Sequence, residues 1–417
     1  MATIPQHAAA PNLPALESAG PAQRRRAANR LLETAWSKGW LDRPTLDPDE
    51  LIAEACKASK TGNLHDGCWR DRLNILASAL EREASLNNLG RVIAHGQITA
   101  ALLNRARMQA LWARHPEIGE IKLQPPILIV GQMRSGSTRI QRLLACDPRL
   151  TFTRFYESWN PLPRFWGLAH ADRVIRAAVA LSCAHFFNPA FRHIHPTGVH
   201  HAEEEMGLQN ISMFGSAFEA QWRVPSFTAA VEDADPAAAY AEFKRLLQTI
   251  AWFRRRAPSR PWLLKLPQFA QDMDAVLATF PGARVIRLHR DPEPLIASSA
   301  SLVHNQMSLQ SDDADARWIG QEWLRKTALR ERRLNAALRR SAVLSVDVHY
   351  DVVNQDWRGQ IARIYKFLDM PLRPSIEQGM SRFIKGKRHK ELRCHNYDLG
   401  QFGLSRMDIH QAMTEGG

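Results

Sequence analysis

No two cysteines of this chain stand in a CxxC pair; the five, at positions 56, 68, 146, 183 and 394, are odd in number and widely spaced. That pattern argues against a disulfide framework and against a zinc module, and it fits a reducing compartment, so a cytoplasmic location is expected. Long apolar runs are also missing. A membrane span needs roughly 18 uninterrupted apolar residues, whereas the nearest stretch, Val174–Phe187, is short and carries Arg176. Residues 1–29 are rich in Ala and Pro, with an Arg run at 24–26 and Glu17 as their one acid, but they lack the apolar core of a secretory signal. A flexible tail over residues 1–45 is the expectation. Acidic charge is in deficit: 42 Asp and Glu against 55 Lys and Arg leave a net charge of +13, which favours an anionic ligand. No internal repeat is visible.

What is present is ordinary globular material, 45% hydrophobic and 23% charged, which excludes a mostly disordered or fibrous chain. The 417 residues allow two or three domains, or one large α/β domain with an appendage. Residues 46–120 read as helical, with Leu73, Leu76 and Leu80 on one stripe and Leu102, Leu103 and Ala106 on another. After Pro125-Pro126 comes a continuous apolar run, Ile127–Val130, as expected of a central strand covered on both faces. Further strands are expected at Trp262–Lys265, Val285–His289 and Val343–Val348, each followed by a helical pattern. Strands alternating with helices mean βαβ units. The expected fold is therefore α/β, a P-loop-like, doubly wound, mostly parallel sheet flanked by helices over 121–410, with a helical N-terminal layer. Residues 152–255 are mostly helical and open with nine aromatics between Phe152 and Phe191, so they are expected to form the ligand-side insertion.

The loop after the first strand, Gly131-Gln132-Met133-Arg134-Ser135-Gly136-Ser137-Thr138, leads directly into a helix. Glycines let backbone amides converge, and a helix N-terminus adds partial positive charge, so this is anion-binding architecture. The spacing imitates GxxxxGK[ST], but Ser137 stands where a nucleoside triphosphatase needs its lysine, and the cation lies inside the loop at Arg134. A second candidate anion site is Arg290, at the carboxyl end of a buried strand, with Ser298 about two turns into the next helix.

Together, four ordered segments resemble the sulfotransferases that use 3′-phosphoadenosine 5′-phosphosulfate (PAPS), in the broad, largely bacterial branch with a helical N-terminal region. PPILIVGQMRSGSTRIQRLLACDP is similar to that family's 5′-phosphosulfate loop, which implies Arg134, Ser135, Gly136, Ser137 and Thr138 as donor ligands. ARVIRLHRDPEPLIASSASL resembles its 3′-phosphate motif and implies Arg290 and Ser298. VDVHYDVVNQDWRGQIARIYKFLDMPL and NYDLGQFGLS resemble two later family segments. The resemblance implies transfer of a sulfuryl group to a hydroxyl or amine of a small-molecule acceptor, with Arg134 and Lys265 stabilising the reacting groups and no metal.

The chain departs from that pattern in two places. Many relatives carry KxPxH after the second strand, where the histidine is a candidate base; here Phe269 occupies that position. Glu157 is the favoured replacement base, with His200 and Glu203 as further candidates. Arg139 follows the loop threonine where cytosolic relatives often place a tryptophan, so adenine stacks on Arg139 or is held elsewhere, for example near Tyr350. Lys385, Lys387 and Arg388 are further candidates for the 3′-phosphate.

Three other readings stay open. A kinase or nucleoside triphosphatase would use Asp347, at the end of an apolar strand, to anchor magnesium, but it lacks the loop lysine. A nucleic-acid binder would use Lys326, Arg330, Arg332, Arg333, Arg339 and Arg340, although these surround their helix and read better as solvated. A non-catalytic nucleotide-binding relative is compatible with Phe269. Metal binding by His201 and Glu205, four residues apart on an expected helix, is disfavoured, no nucleic-acid partner is expected, and homo-oligomerisation is left open.

Overall fold

The computed structural model describes residues 20–62, 64–255, 260–388 and 398–414. Five strands form one sheet: β1 (Ile127–Val130), β2 (Thr151–Phe152), β3 (Trp262–Lys265), β4 (Arg284–His289) and β5 (Leu344–His349). Their spatial order is β2-β3-β1-β4-β5, and every neighbouring pair is parallel. β2 is a strand the sequence pattern did not reveal, because two residues carry no periodicity.

Strand alternation divides the core into two layers. Leu128, Val130, Leu264 and Val285 face one side and pack with the N-terminal helices and the helices between Met206 and Phe253. Ile127, Ile129, Leu263, Ile286 and Val348 face the other side, against Ile140 and Leu143 of the Ser137–Leu144 helix and Ile361, Ile364 and Tyr365 of the Trp357–Phe367 helix. Both faces of the sheet are thus covered, which is why β1 reads as an unbroken apolar run and β3 as one up to Lys265.

The N-terminal layer consists of helices Pro48–Ser59, Cys68–Arg82 and Asn88–Arg114. Asp47 and Asn87 cap the first and last of these, Asn87 by accepting from Gly90 N at 2.8 Å. The expected flexible tail needs correction over part of its length. Pro21–Ser37 form a helix that starts on a proline. It is held by Asn29 Oδ1, which accepts from Leu89 N at 2.7 Å, and by Arg24, which donates to Phe186 O at 2.9 Å. Residues 1–19 lie outside the described residues.

The basic helix Ala316–Arg340 is largely neutralised. Buried Lys326 is paired with Glu219 and Glu232, Arg330 with Glu219, and Arg340 with Asp274, while Arg333 donates to Glu232 O. Four of the six cations that suggested a nucleic-acid surface thus have partners within the fold, while Arg332 and Arg339 are exposed.

No helix among the described residues is long and apolar enough to cross a membrane.

Candidate active site

Spatial order places β1 between β3 and β4, while the connection from β1 runs outward to β2. The carboxyl end of β1 is therefore a switch point, where the flanking loops part and leave a crevice. Into it project the loop after Val130, Lys265 from the end of β3 and Arg290 just beyond β4.

The loop is tightly wound. Arg134 has φ +69° and Gly136 has φ +89°, both in the left-handed region. A Cβ on Gly136 would lie 2.5 Å from Tyr350 Cδ2, so glycine is required by both conformation and space. The Ser135 hydroxyl is buried and has no hydrogen-bond partner among the described residues. A buried hydroxyl inside such a cradle is poised for an external acceptor or donor. The helix that opens at Ser137 directs its first amides to the same place.

The two expected anion motifs meet. Arg134 Nε donates to Ser298 Oγ at 2.9 Å, and Arg290 donates to Arg134 O at 2.7 Å. Ser299 Oγ donates to Met133 O at 3.1 Å, so the Pro292–Gln310 helix supports the loop from below. The Arg290 guanidinium stacks on Tyr350, 4.5 Å from the ring centroid. Tyr350 is thereby brought to the loop, with Arg290 on its ring and Gly136 beside it. Arg139, by contrast, turns to Asn354.

Lys265 is buried at 1% exposure. Its Nζ donates to Thr138 Oγ1 at 2.8 Å and pairs with Glu204 Oε1 at 2.7 Å. The lysine missing from the loop is in effect supplied by the neighbouring strand. Residues 200–205 are not helical: 200 and 201 lie in a turn, and 202–204 run alongside 153–154, where Arg154 bridges Ala202 and Glu203 N donates to Thr153 O at 3.0 Å. Alternation then sends successive acids to different partners. Glu203 lies with His195, 3.2 Å away, with Thr197 and with Arg142. Burial opposes the charge of Glu203, but the His195 ring and the Lys265 ammonium outweigh it and hold the carboxyl below the usual range. Glu205 accepts from Lys265 N at 2.9 Å, and burial pushes it up to about 8.

Glu157, the expected base, is placed differently. Its carboxylate is 1% exposed, paired with Arg254 and Arg154, and it accepts from Arg154 N at 2.9 Å as the cap of its own short helix. Burial would raise its pKa, but Arg254 first and then the Arg154 amide and side chain keep it lowered. A carboxylate so thoroughly paired braces the β2 edge, where Arg254 also donates to Thr151 Oγ1 at 2.7 Å and Phe152 O at 2.8 Å. Phe269 is fully buried, with Tyr240 and Phe243 ring centroids each 6.1 Å away, so position 269 faces the core rather than the crevice. His200 is exposed; its ring stacks with His170 and meets Tyr156 edge-on. Asp347 is paired with His289 at 2.6 Å.

Among the described residues no group of His, Cys, Asp and Glu could hold a metal ion. Lys385 is exposed, and the side chains of Lys387 and Arg388 lie outside the described residues, as do Asn396 and Tyr397. The rest of the C-terminal signature folds over the Pro292–Gln310 helix, and between them lies a cleft of about 440 Å³ lined by Glu293, Ala297, Gly400 and Leu404.

Sequence reasoning missed Glu204 and His195 and considered Glu205 only as a disfavoured metal ligand with His201. The run of three glutamates was the available signal, and the expectation of a helix there concealed it, since strand-like alternation is what separates their roles.

A profile of the sulfotransferase family matches residues 125–374. The chain belongs to the sulfotransferase family. Its fold agrees with that of two mycobacterial sulfotransferases. STF1 from Mycobacterium tuberculosis H37Rv is 26% identical, with 89% of this chain and 100% of that one covered and a TM-score of 0.77. STF9 from Mycobacterium avium is 22% identical, with 90% and 96% covered and a TM-score of 0.78. No curated protein matched the sequence. For a sulfotransferase, the strand-borne Lys265 and the meeting of the two anion motifs at Arg134 are the defining features of the crevice.

Proposed function

We propose that this sulfotransferase moves the sulfuryl group of PAPS to a hydroxyl or amine of a small, apolar or aromatic acceptor. The supporting observation is the placement of Lys265 Nζ, 2.8 Å from Thr138 Oγ1 and 2.7 Å from Glu204 Oε1. It gives the loop a cation from β3 in place of the missing loop lysine and sets a carboxylate beside that cation.

On this reading Ser135, Gly136, Ser137 and Thr138 hold the 5′ end of the donor with Arg134, and Arg290 with Ser298 holds the 3′-phosphate. Ser298 Oγ accepts from Arg134, so its own hydrogen remains free to donate to a phosphate oxygen. Bound donor would supply an activated sulfuryl group whose S–O bond to phosphate breaks in line as the acceptor oxygen or nitrogen attacks. Lys265 and Arg134 neutralise the negative charge that develops on the phosphate side. The acceptor proton goes to a carboxylate, and Glu204, beside Lys265 and only partly exposed, is better placed for it than the braced Glu157. Phe155, Tyr156 and Trp159 supply an apolar wall in which Tyr156 is buried and the other two are half-buried.

The competing reading is a magnesium-dependent nucleotide kinase. Thermal unfolding separates the two, because a ligand that binds only the native state raises the midpoint with concentration. Adenosine 3′,5′-bisphosphate should raise it and ATP with magnesium should not; the reverse pattern would reject the assignment.

A further inference from the structure

The stretch from Pro161 to His195 meets the transfer site at its end, where Ile194 O accepts from Arg134 and His195 lies beside Glu203, but its exposed face is not absorbed there. It contains Arg164, Arg173, Arg176 and Arg192 but a single acid, Asp172. It is also where apolar surface is left open: Phe165, Trp166, Leu168, Ile175 and Val179 are between 51% and 66% exposed. Leu168, Ile175 and Val179, seven and four residues apart, share one side of the Ala169–Phe187 helix, and Phe165-Trp166 stand on the turn that leads into it.

Charge lies along the same border. Arg107, from the Asn88–Arg114 helix, lies close enough to Arg164 and Arg176 for their repulsion to act on it, and Asp172 is the one carboxylate among them. Asp172 is already engaged by Arg176 at 2.9 Å and by Arg164 N at 2.6 Å. Arg107 Nη1 is buried and has no hydrogen-bond partner among the described residues. Arg176 is further engaged by Asn160 Oδ1 and Leu162 O, so the exposed Arg164 is the guanidinium that faces solvent beside an already committed carboxylate, and it calls for an oxygen-rich acceptor from outside.

The geometry points to a membrane-surface docking face: the Phe165–Leu168 turn and the Ala169–Phe187 helix lie in the headgroup layer of an anionic bilayer, with a lipid phosphate at Arg164. Each part matches that occupant. The helix offers aliphatic residues with no polar group to satisfy, the turn offers Phe and Trp, which favour the interface, and Arg164 extends from the apolar side to a phosphate. A second copy of the chain is a poorer occupant, because a two-fold contact would bring like-charged arginine clusters together. Asp172 supplies too little charge to offset that.

The test is sedimentation of the full chain with sucrose-loaded vesicles of phosphatidylcholine alone, and of phosphatidylcholine with one third phosphatidylglycerol. Wild type should pellet with the anionic vesicles and much less with the neutral ones. The doubly substituted I175E/V179E chain and Trp166→Ser should lose pelleting, and Arg164→Glu should weaken it by roughly fivefold or more on anionic vesicles only. Circular dichroism melting of each variant verifies that it is folded, which surface positions permit. Failure of wild type to pellet, or undiminished pelleting of folded I175E/V179E, overturns the proposal. So does sedimentation equilibrium showing a dimer that those substitutions dissociate.

Discussion

Arg134 Nε reaches Ser298 Oγ at 2.9 Å across 164 residues of chain, joining the loop after β1 to the helix after β4. Because Arg290 also holds the Arg134 carbonyl, the two anion motifs are one hydrogen-bonded unit before any ligand arrives. Preorganisation of this kind reduces the ordering cost of binding. Arg290→Ala should therefore weaken adenosine 3′,5′-bisphosphate affinity by about 1.5–3 kcal/mol, roughly 10- to 150-fold, as a charge-assisted pair is lost and the loop is released. Isothermal titration calorimetry reads this directly, and unchanged affinity would remove Arg290 from the donor site.

Gly136→Ala places a methyl group 2.5 Å from the Tyr350 ring at a residue with φ +89°. The backbone term alone costs about 1–2 kcal/mol. The loop should lose its shape, and donor affinity should fall with it. Adding Tyr350→Ala should restore only part of the stability, since the backbone strain persists; full recovery in urea unfolding would mean that the clash was the whole effect.

Glu157→Gln distinguishes a brace from a base. Removing one partner of a buried ion pair typically costs roughly 3–5 kcal/mol. Glu157 is buried between Arg254 and Arg154, so the variant should unfold at clearly lower denaturant. In protein that remains folded, turnover should survive. Glu204→Gln, which also leaves the buried Lys265 without its carboxylate, should lose some stability too, but in protein that remains folded it should depress turnover far more than donor affinity.

Glu205 gives stability a pH dependence. Its carboxyl is pushed up to about 8 by burial, against an ordinary value of 4.5. A group whose folded pKa is raised contributes fully below the unfolded value and loses that contribution as pH rises towards the folded one. Wild-type stability should therefore fall relative to Glu205→Gln between about pH 4.5 and 8 and level off above. Parallel stability curves for the two proteins would contradict the burial argument.

Much of this architecture was legible in the chain. β1 and the Trp262–Leu264 part of β3 declared themselves because a strand covered on both faces is apolar, and the Gly131–Thr138 loop because its chemistry is local. The function of position 269 was not legible. Motif alignment marks Phe269 as a lost base, yet its ring packs on Tyr240 and Phe243 in the core, so nothing catalytic was available there to lose. Phe269→His should accordingly destabilise the fold without raising turnover. Glu157 misled for a related reason: its distance along the chain from Arg134 carried no information about Arg254, which reaches it from 97 residues away. Long-range pairing of charges is set by packing, and only the three-dimensional arrangement reveals it.

The central claim is that Lys265, fixed between Thr138 and Glu204, works on a transferring sulfuryl group. Incubation with sulfur-labelled PAPS and a panel of phenols, sterols, sugars and amines tests it most directly, with wild type and Lys265→Met compared side by side. Wild type should move label to at least one hydroxyl or amine, and Lys265→Met should fail to do so while still binding adenosine 3′,5′-bisphosphate. Label transfer that persists in Lys265→Met, or a wild type that binds the bisphosphate nowhere near the loop and transfers nothing, would contradict the account.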